Sequence, residues 1–266
     1  CTKHPPGSGL NPSLAPSCDV MVNGRPIARL GERSYCGSGD ADAVLLGVGQ
    51  VLAGGVPIAR RGETMVHGGL VAKGSDDVRV GGASVGPGGM TVERDGNRLI
   101  IGGCSVIEGS DDFAAETIHD LALMGGTPSG QKLLRKIQRT GRSVTVREYN
   151  GPNSYAGPVD WEDGTAAGHP VYNGKGERIQ DWRGRDMTGN GRGTDARVRY
   201  NPHFRLTGPD GRPPQDVVLF HELAHASVYN EGNGKLDPRS GWTTEEEHRV
   251  IEAADERAPK KPLDLN

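Results

Sequence analysis

The sequence predicts a multidomain chain. A small β domain of repeated hairpins occupies residues 1–109, and an α+β domain occupies residues 110–266. Three observations carry that division. Tyr35 is the only aromatic residue before position 109, so the first part cannot build a bulky core and must pack by other means. Residues 20–32 are echoed 31 positions later by residues 51–63, with the shared pattern Pro-Ile-Ala-Arg-x-Gly-Glu. A fixed period of this kind marks stacked supersecondary units. Beyond residue 109, apolar residues recur at helical spacing.

Each repeat reads as a hairpin, a β-branched strand and a Gly turn followed by a Pro-bearing strand. A third, looser strand pair starts at Asp77-Val78-Arg79-Val80. In the second part, residues 113–124 carry an apolar stripe (Phe113, Ile118, Leu121, Leu123, Met124) and stop at Gly125-Gly126, which predicts a helix. Ser129 is placed to cap a second helix through Arg139. Residues 143–149 alternate as a strand does, and 196–200 form another that ends at Asn201-Pro202. Residues 151–195 are rich in Gly, Asp and Asn and read as long loops or hairpins. Pro213 and Pro214 suit the start of a helix that closes near Asn230-Glu231-Gly232. Thr243 or Thr244 can cap a last helix that runs to about Glu256.

Composition narrows the function. The formal net charge of −3 argues against a protein built mainly to hold nucleic acid. No run of 18 apolar residues exists, so no membrane-spanning helix is expected. Four Cys in a chain of 266 residues are too few for a disulfide framework and read as free, paired ad hoc or metal-bound.

The strongest chemical signal is Phe220-His221-Glu222-Leu223-Ala224-His225-Ala226. On a helix His221 and His225 stand one turn apart on one face, a spacing that lets two imidazoles grip one Zn²⁺. Glu222 lies one step round, close enough to act as general base on a water at the metal without binding the metal. A catalytic Zn²⁺ needs a third protein ligand, and residues 243–252 offer one. Glu246 precedes Val250 by four and Glu247 precedes Ile251 by four, so either can share the inward face. The same acidic turn would also complement the helix dipole. His119, His169 and His203 read as surface or structural residues.

The His-Glu-Leu-Ala-His-Ala stretch, the preceding Gly-Thr-Asp-Ala-Arg-Val-Arg-Tyr-Asn-Pro and the Glu-Glu-Glu-x-x-Val segment resemble the zinc metallopeptidase effectors of the NleD type. More distantly they are similar to the clostridial neurotoxin proteases. The resemblance covers roughly residues 127–256 and implies a zincin-like α+β domain. It also implies that the third ligand is the second Glu of a Glu-Glu pair, here Glu246, with Glu247 as the alternative. His248-Arg249 and Ile251-Glu252 depart from that pattern, since the relatives tend to have Gly there.

Residues 1–103, with their repeated Pro-Ile-Ala-Arg-x-Gly-Glu, resemble the PAAR domains that tip the type VI secretion spike. That resemblance implies a small β cone closed near its apex by a structural Zn²⁺ on His and Cys. Cys36 and His67 are 31 residues apart, the repeat period, and one period earlier falls beside Cys1 and His4. Cys1, His4, Cys36 and His67 are therefore the expected ligands of this closed site.

Together the resemblances imply a type VI effector. It would be made in the bacterial cytoplasm, seated on a trimeric spike protein and secreted into a target cell, with a zinc endopeptidase toxin as cargo. Its partners would be the spike, a protein substrate and an immunity protein. The cofactors would be one catalytic and one structural Zn²⁺. Residues 197–200 are the expected edge strand for an extended peptide, and Tyr200, Tyr229 or His248 the expected oxyanion stabiliser. Two other readings stay open: a non-catalytic spike adaptor with structural zinc, and a zinc amidase acting on peptidoglycan or another non-protein amide.

Overall fold

A computed structural model describes residues 9–10, 20–173, 175–204, 214–237 and 241–242. The repeat produces its hairpins. β1 (Met21–Val22) and β2 (Arg25–Pro26) are joined by Asn23 and Gly24, both at positive φ, as a tight Asn-Gly hairpin turn requires. β3 (Arg33–Tyr35) pairs with β4 (Ala41–Ala43). β5 (Gly47–Ala53) pairs with β6 (Val56–Ile58) on one side and with β7 (Ser84–Val85) on the other. β7 lies beyond the Asp77-Val78-Arg79-Val80 stretch expected to form the third strand pair, and that stretch itself is not a strand.

The conserved spelling of the two copies has a physical cause. Arg29 pairs with Glu32 at 3.0 Å and Arg60 with Glu63 at 2.8 Å, so each copy closes its turn with the same ion pair. The copies are stitched by reciprocal backbone bonds, Leu30 N–H to Pro57 O and Ala59 N–H to Ala28 O, both 2.8 Å.

A 3-10 turn at Pro87–Gly89 leads into a six-stranded mixed sheet. Its members are β8 (Val92–Asp95), β9 (Arg98–Ile101), β10 (Ser105–Glu108), β11 (Val144–Glu148), β12 (Tyr155–Pro158) and β13 (Ala196–Tyr200), in the order β12-β13-β11-β10-β9-β8. β10, β11 and β13 run parallel. α1 (Asp111–Gly125) and α2 (Pro128–Thr140) connect β10 to β11. Ser110 caps α1, while α2 is capped by Thr127 rather than Ser129 and ends on Gly141 at positive φ. α3 (Trp161–Gly164) follows β12, and α4 (Gln215–Asn230) lies against the sheet. β14 (Leu236–Asp237) pairs with β15 (Gly241–Trp242).

Two expectations meet a different arrangement. The composition break at Gly109 falls inside one sheet: β8, β9 and β10 come from the aromatic-poor part, and β10 pairs directly with β11 from the aromatic-rich part. β13 is not an edge strand, because β11 and β12 flank it; the edge is β12.

Residues 170–188 hold a motif built on a period of eight. Val171 N–H donates to Met187 O, Ile179 N–H to Val171 O and Met187 N–H to Ile179 O, a closed ring of three bonds between 2.9 and 3.1 Å. The antiparallel bridges Tyr172–Arg178 and Gln180–Asp186 lie between the ring members. Asn173 Oδ1 braces one by accepting from the N–H groups of Lys175 and Glu177, and Asp181 Oδ1 braces the next by accepting from Arg183 and Arg185.

α1 is shared by both parts of the chain. One face (Phe113, Ile118, Leu121, Met124) is buried in the main core with residues of β9, β11, β13 and α4. The face running through Asp112, Glu116, His119, Ala122 and on to Gly126 meets the hairpin region. Glu116 pairs with Arg33, His119 Nδ1–H donates to Gly31 O at 2.7 Å, and Ala122 clusters with Leu30 and Val56. Contact is close enough that a Cβ on Gly55 would sit 2.0 Å from Gly126 O. Ala43, Leu45 and Val66 of the hairpin region join the main core outright.

Candidate functional site

α4 starts after Pro214, with Asp216 in its first turn, and stops before Gly232 at positive φ. Leu219, Phe220, Leu223 and Ala226 bury one face against the core. That packing sinks His225 to 2% exposure and leaves His221 half-buried. The two rings stand edge to face, with centroids 4.6 Å apart and planes at 80°. Their Nε2 atoms are 3.0 Å apart. Tetrahedral coordination at Zn–N distances of 2.0–2.1 Å separates two ligand nitrogens by about 3.3 Å, so the pair fits one ion after a small adjustment. Burial, and then the neighbouring His221, push the His225 imidazole down to about 3, which keeps it in the neutral form a metal needs. Glu222, between them in sequence, is also buried.

The other expected members of this site fall in three places. Glu246, Glu247 and His248 lie outside the described residues. Tyr200 requires a correction. Its ring is fully buried, and its hydroxyl lies 2.7 Å from Asp120 Oδ2 and 3.1 Å from Gln215 O. The hydroxyl donates to Asp120 Oδ2, with Gln215 O as a second, longer acceptor. Burial, partly offset by the hydrogen bond that Asp120 accepts from Tyr200, raises the Asp120 carboxyl to about 7. Tyr200 is thus committed to tying α1 to the start of α4 and does not serve an oxyanion. Tyr229 is buried too, its ring packed edge-on to Trp161 at 6.2 Å. Among the other His, His119 is a buried contact between the two parts, whereas His169 and His203 are exposed.

A second cluster lies in the hairpin region. Cys36 Sγ and His67 Nδ1 approach to 3.2 Å, and with a carboxylate oxygen of Asp42 they form a buried set of donor atoms all within 4.8 Å of one another. A tetrahedral Zn²⁺ would hold such a sulfur and nitrogen about 3.6 Å apart. Asp42 Oδ1 also accepts from the N–H groups of Ala43 and His67, at 2.8 and 3.0 Å, which fixes the His67 backbone. Burial foremost, and then the carboxylates of Asp42 and Asp40, push the Cys36 thiol up, so a bound cation would be needed to hold the thiolate. Cys1, His4 and Cys18 lie outside the described residues. Cys104 is buried elsewhere, its thiol 3.9 Å from Ile101 O. The sequence does not single out Asp42, which lies off the 31-residue register of Cys36 and His67. The pairing of β3 with β4, and the bond from Val66 N–H to Ala43 O, bring it alongside them.

Both parts of the chain match family models. The PAAR motif matches residues 12–73. No curated protein matches the chain. The model of Peptidase M91, described as an effector protein, matches residues 102–259, which begins within the six-stranded sheet and takes in α1, α2 and the His221–His225 helix. That match spans more than half of the chain, and the protein belongs to the Peptidase M91 effector family, carrying a PAAR motif ahead of its peptidase domain.

Proposed function

We propose that the chain is a zinc-dependent endopeptidase toxin carried on the tip of a type VI secretion spike. The convergence of His221 Nε2 and His225 Nε2 to 3.0 Å on α4, with a buried Glu222 next to His221 in sequence, is the observation that carries this reading. His221 and His225 would hold the ion, and Glu246, or Glu247 in its place, would supply the third protein ligand. Zn²⁺ held there supplies Lewis acidity toward a carbonyl and a more acidic water. Glu222 takes the proton of the attacking water and returns it to the leaving amine. The extended substrate would lie along β12, whose outer edge has no strand partner among the described residues.

Cys36 and His67, together with Asp42 or with Cys1 and His4, would hold the second, structural Zn²⁺. Seating on a trimeric spike is supported by the repeat itself. Val20 and Val51, and likewise Met21 and Leu52, are equivalent across the repeat, and all four are exposed. Delivery into a target cell, an immunity protein and a protein substrate belong to the same reading. No described helix is long and apolar enough to cross a membrane.

Elemental analysis of the purified full chain tests the metal count. Two Zn²⁺ per chain are expected, falling to one on His221→Ala and to one on His67→Ala. A chain that keeps its full zinc content in the His221→Ala variant would refute the peptidase centre.

A further inference from the structure

The cluster in the hairpin region is not built by that region alone. His67 turns Nδ1 toward Cys36 and Nε2 toward Asp112 Oδ1, which lies 4.0 Å away in the first turn of α1. The Asp112 side chain is about half exposed, at 48%, so a small rotation or one bridging water closes that gap. A histidine that ligates a metal through one ring nitrogen commonly donates its other N–H to a carboxylate, which fixes the ring and strengthens the ligand. Cys36, Asp42 and His67 are all buried, and Cys36 Sγ lies at the Nδ1 side of the ring, 3.2 Å away. That leaves Nε2–H directed at the peptidase part of the chain. Arg33 on Glu116, Gly31 O on His119 and Leu30 with Val56 on Ala122 continue the same stripe of α1 behind Asp112.

We propose that Asp112 is a positioning residue for His67, so that the metal centre of the hairpin region is completed by the first helix of the peptidase domain and its occupancy clamps the two domains together. This rests on the reading of Cys36 and His67 as metal ligands. Asp112 does not bind the ion. It holds the imidazole in the tautomer and orientation that presents Nδ1. The site then couples to α1, and α1 in turn supports α4 through Asp120 and Tyr200. Filling the hairpin-region site therefore stiffens the helix on which the His221–His225 helix rests.

Cobalt separates the two centres. A Co²⁺–thiolate pair gives a charge-transfer band in the near ultraviolet that a site of His and Glu cannot give. Titration of the zinc-free full chain with Co²⁺ should raise this band, and Cys36→Ser should abolish it. Asp112→Asn should weaken Co²⁺ binding at this band by about 10- to 100-fold. Asp111→Asn removes the same charge from the same helical turn, where Asp111 faces Arg94 at 3.7 Å, and should leave the affinity unchanged. Hydrogen exchange adds a second readout: metal should increase protection of the α1 amides in the parent chain and less so in Asp112→Asn. Equal affinities for the parent and Asp112→Asn would overturn the proposal while leaving the metal site standing. Equal losses in Asp111→Asn and Asp112→Asn would reduce Asp112 to a helix-dipole partner and also overturn it. Absence of any thiolate band in the parent chain would overturn both the metal reading and the proposal built on it.

Discussion

The two candidate metal centres are assembled in opposite ways. His221 and His225 come from consecutive turns of one helix, so their spacing is set locally, and the half-buried His221 leaves the site approachable. Cys36, Asp42 and His67 come from separate segments of a repetitive β structure, all three are buried, and a fourth residue from another domain faces the imidazole. The first arrangement suits a site that exchanges ligands. The second suits a site that holds segments together in a region with few large apolar side chains. Each site is therefore vulnerable in its own way: the helix centre to loss of a ligand, the hairpin centre to anything that disturbs the fold around it.

The largest effect should come from His221→Ala. It should remove the zinc of the helix centre and reduce peptidase activity to background, while zinc in the hairpin region and overall stability stay near those of the parent, as metal analysis with thermal melting would record. His67→Ala should do the reverse in order of severity. Stability falls first, because metal binding in such a site is folding free energy, and activity follows only as far as α1 loosens. If His67→Ala left the melting temperature unchanged, the contrast between the two centres would be lost.

Gly55→Ala probes the seam between the domains without touching a ligand. The new Cβ would meet Gly126 O at 2.0 Å, and the residue already sits at φ +78°. A loss of about 1–3 kcal/mol in denaturant unfolding is expected. A single, cooperative transition should move, because the hairpin region and the sheet share one core.

The smallest effect is in pH dependence. Asp120 is raised to about 7 in the folded chain from an ordinary value near 3.8. Between those values the folded state keeps a proton that the unfolded state has lost, so this residue makes stability fall as pH rises through that window. His119, lowered to about 4 chiefly by burial, acts with the opposite sign between about 4 and 6.5. Asp120→Asn keeps an acceptor and a donor beside Tyr200 but cannot titrate. It should therefore gain relative stability toward pH 7, measurable as a difference in unfolding midpoint between pH 5 and pH 7.

What could be read from the sequence follows the same contrast. The spacing of His221 and His225 translates directly into geometry, because a helix fixes its own neighbours. The repeat announced its hairpins, whereas the Arg29–Glu32 and Arg60–Glu63 pairs that close them emerge only in the structure. Asp42 could not be found that way, since its place beside Cys36 and His67 depends on strand pairing that no local spacing encodes. β13 reads as an edge strand only until β12 is seen outside it, and Tyr200 looks like a site residue only until its hydroxyl is found on Asp120. The eight-residue ring went unread, since a Gly-rich stretch by itself suggests only loops or hairpins; the equal spacing of Gly168, Gly176 and Gly184, all at positive φ in the structure, is the signal that could have found it. The aromatic break at Gly109 reflects how each part packs, not where the sheet ends.

The role of Glu222 can be tested most directly by replacing it with Gln and measuring metal content and proteolysis on the same preparation. The amide is nearly isosteric, and Glu222 is not a proposed ligand. Zinc content and melting temperature should match those of the parent. Cleavage of proteins in a target-cell lysate, read by quantifying new peptide termini, should fall by about 10²- to 10⁴-fold, or about 3–5 kcal/mol of barrier. Parental cleavage by a Glu222→Gln chain with full zinc content would contradict the mechanism.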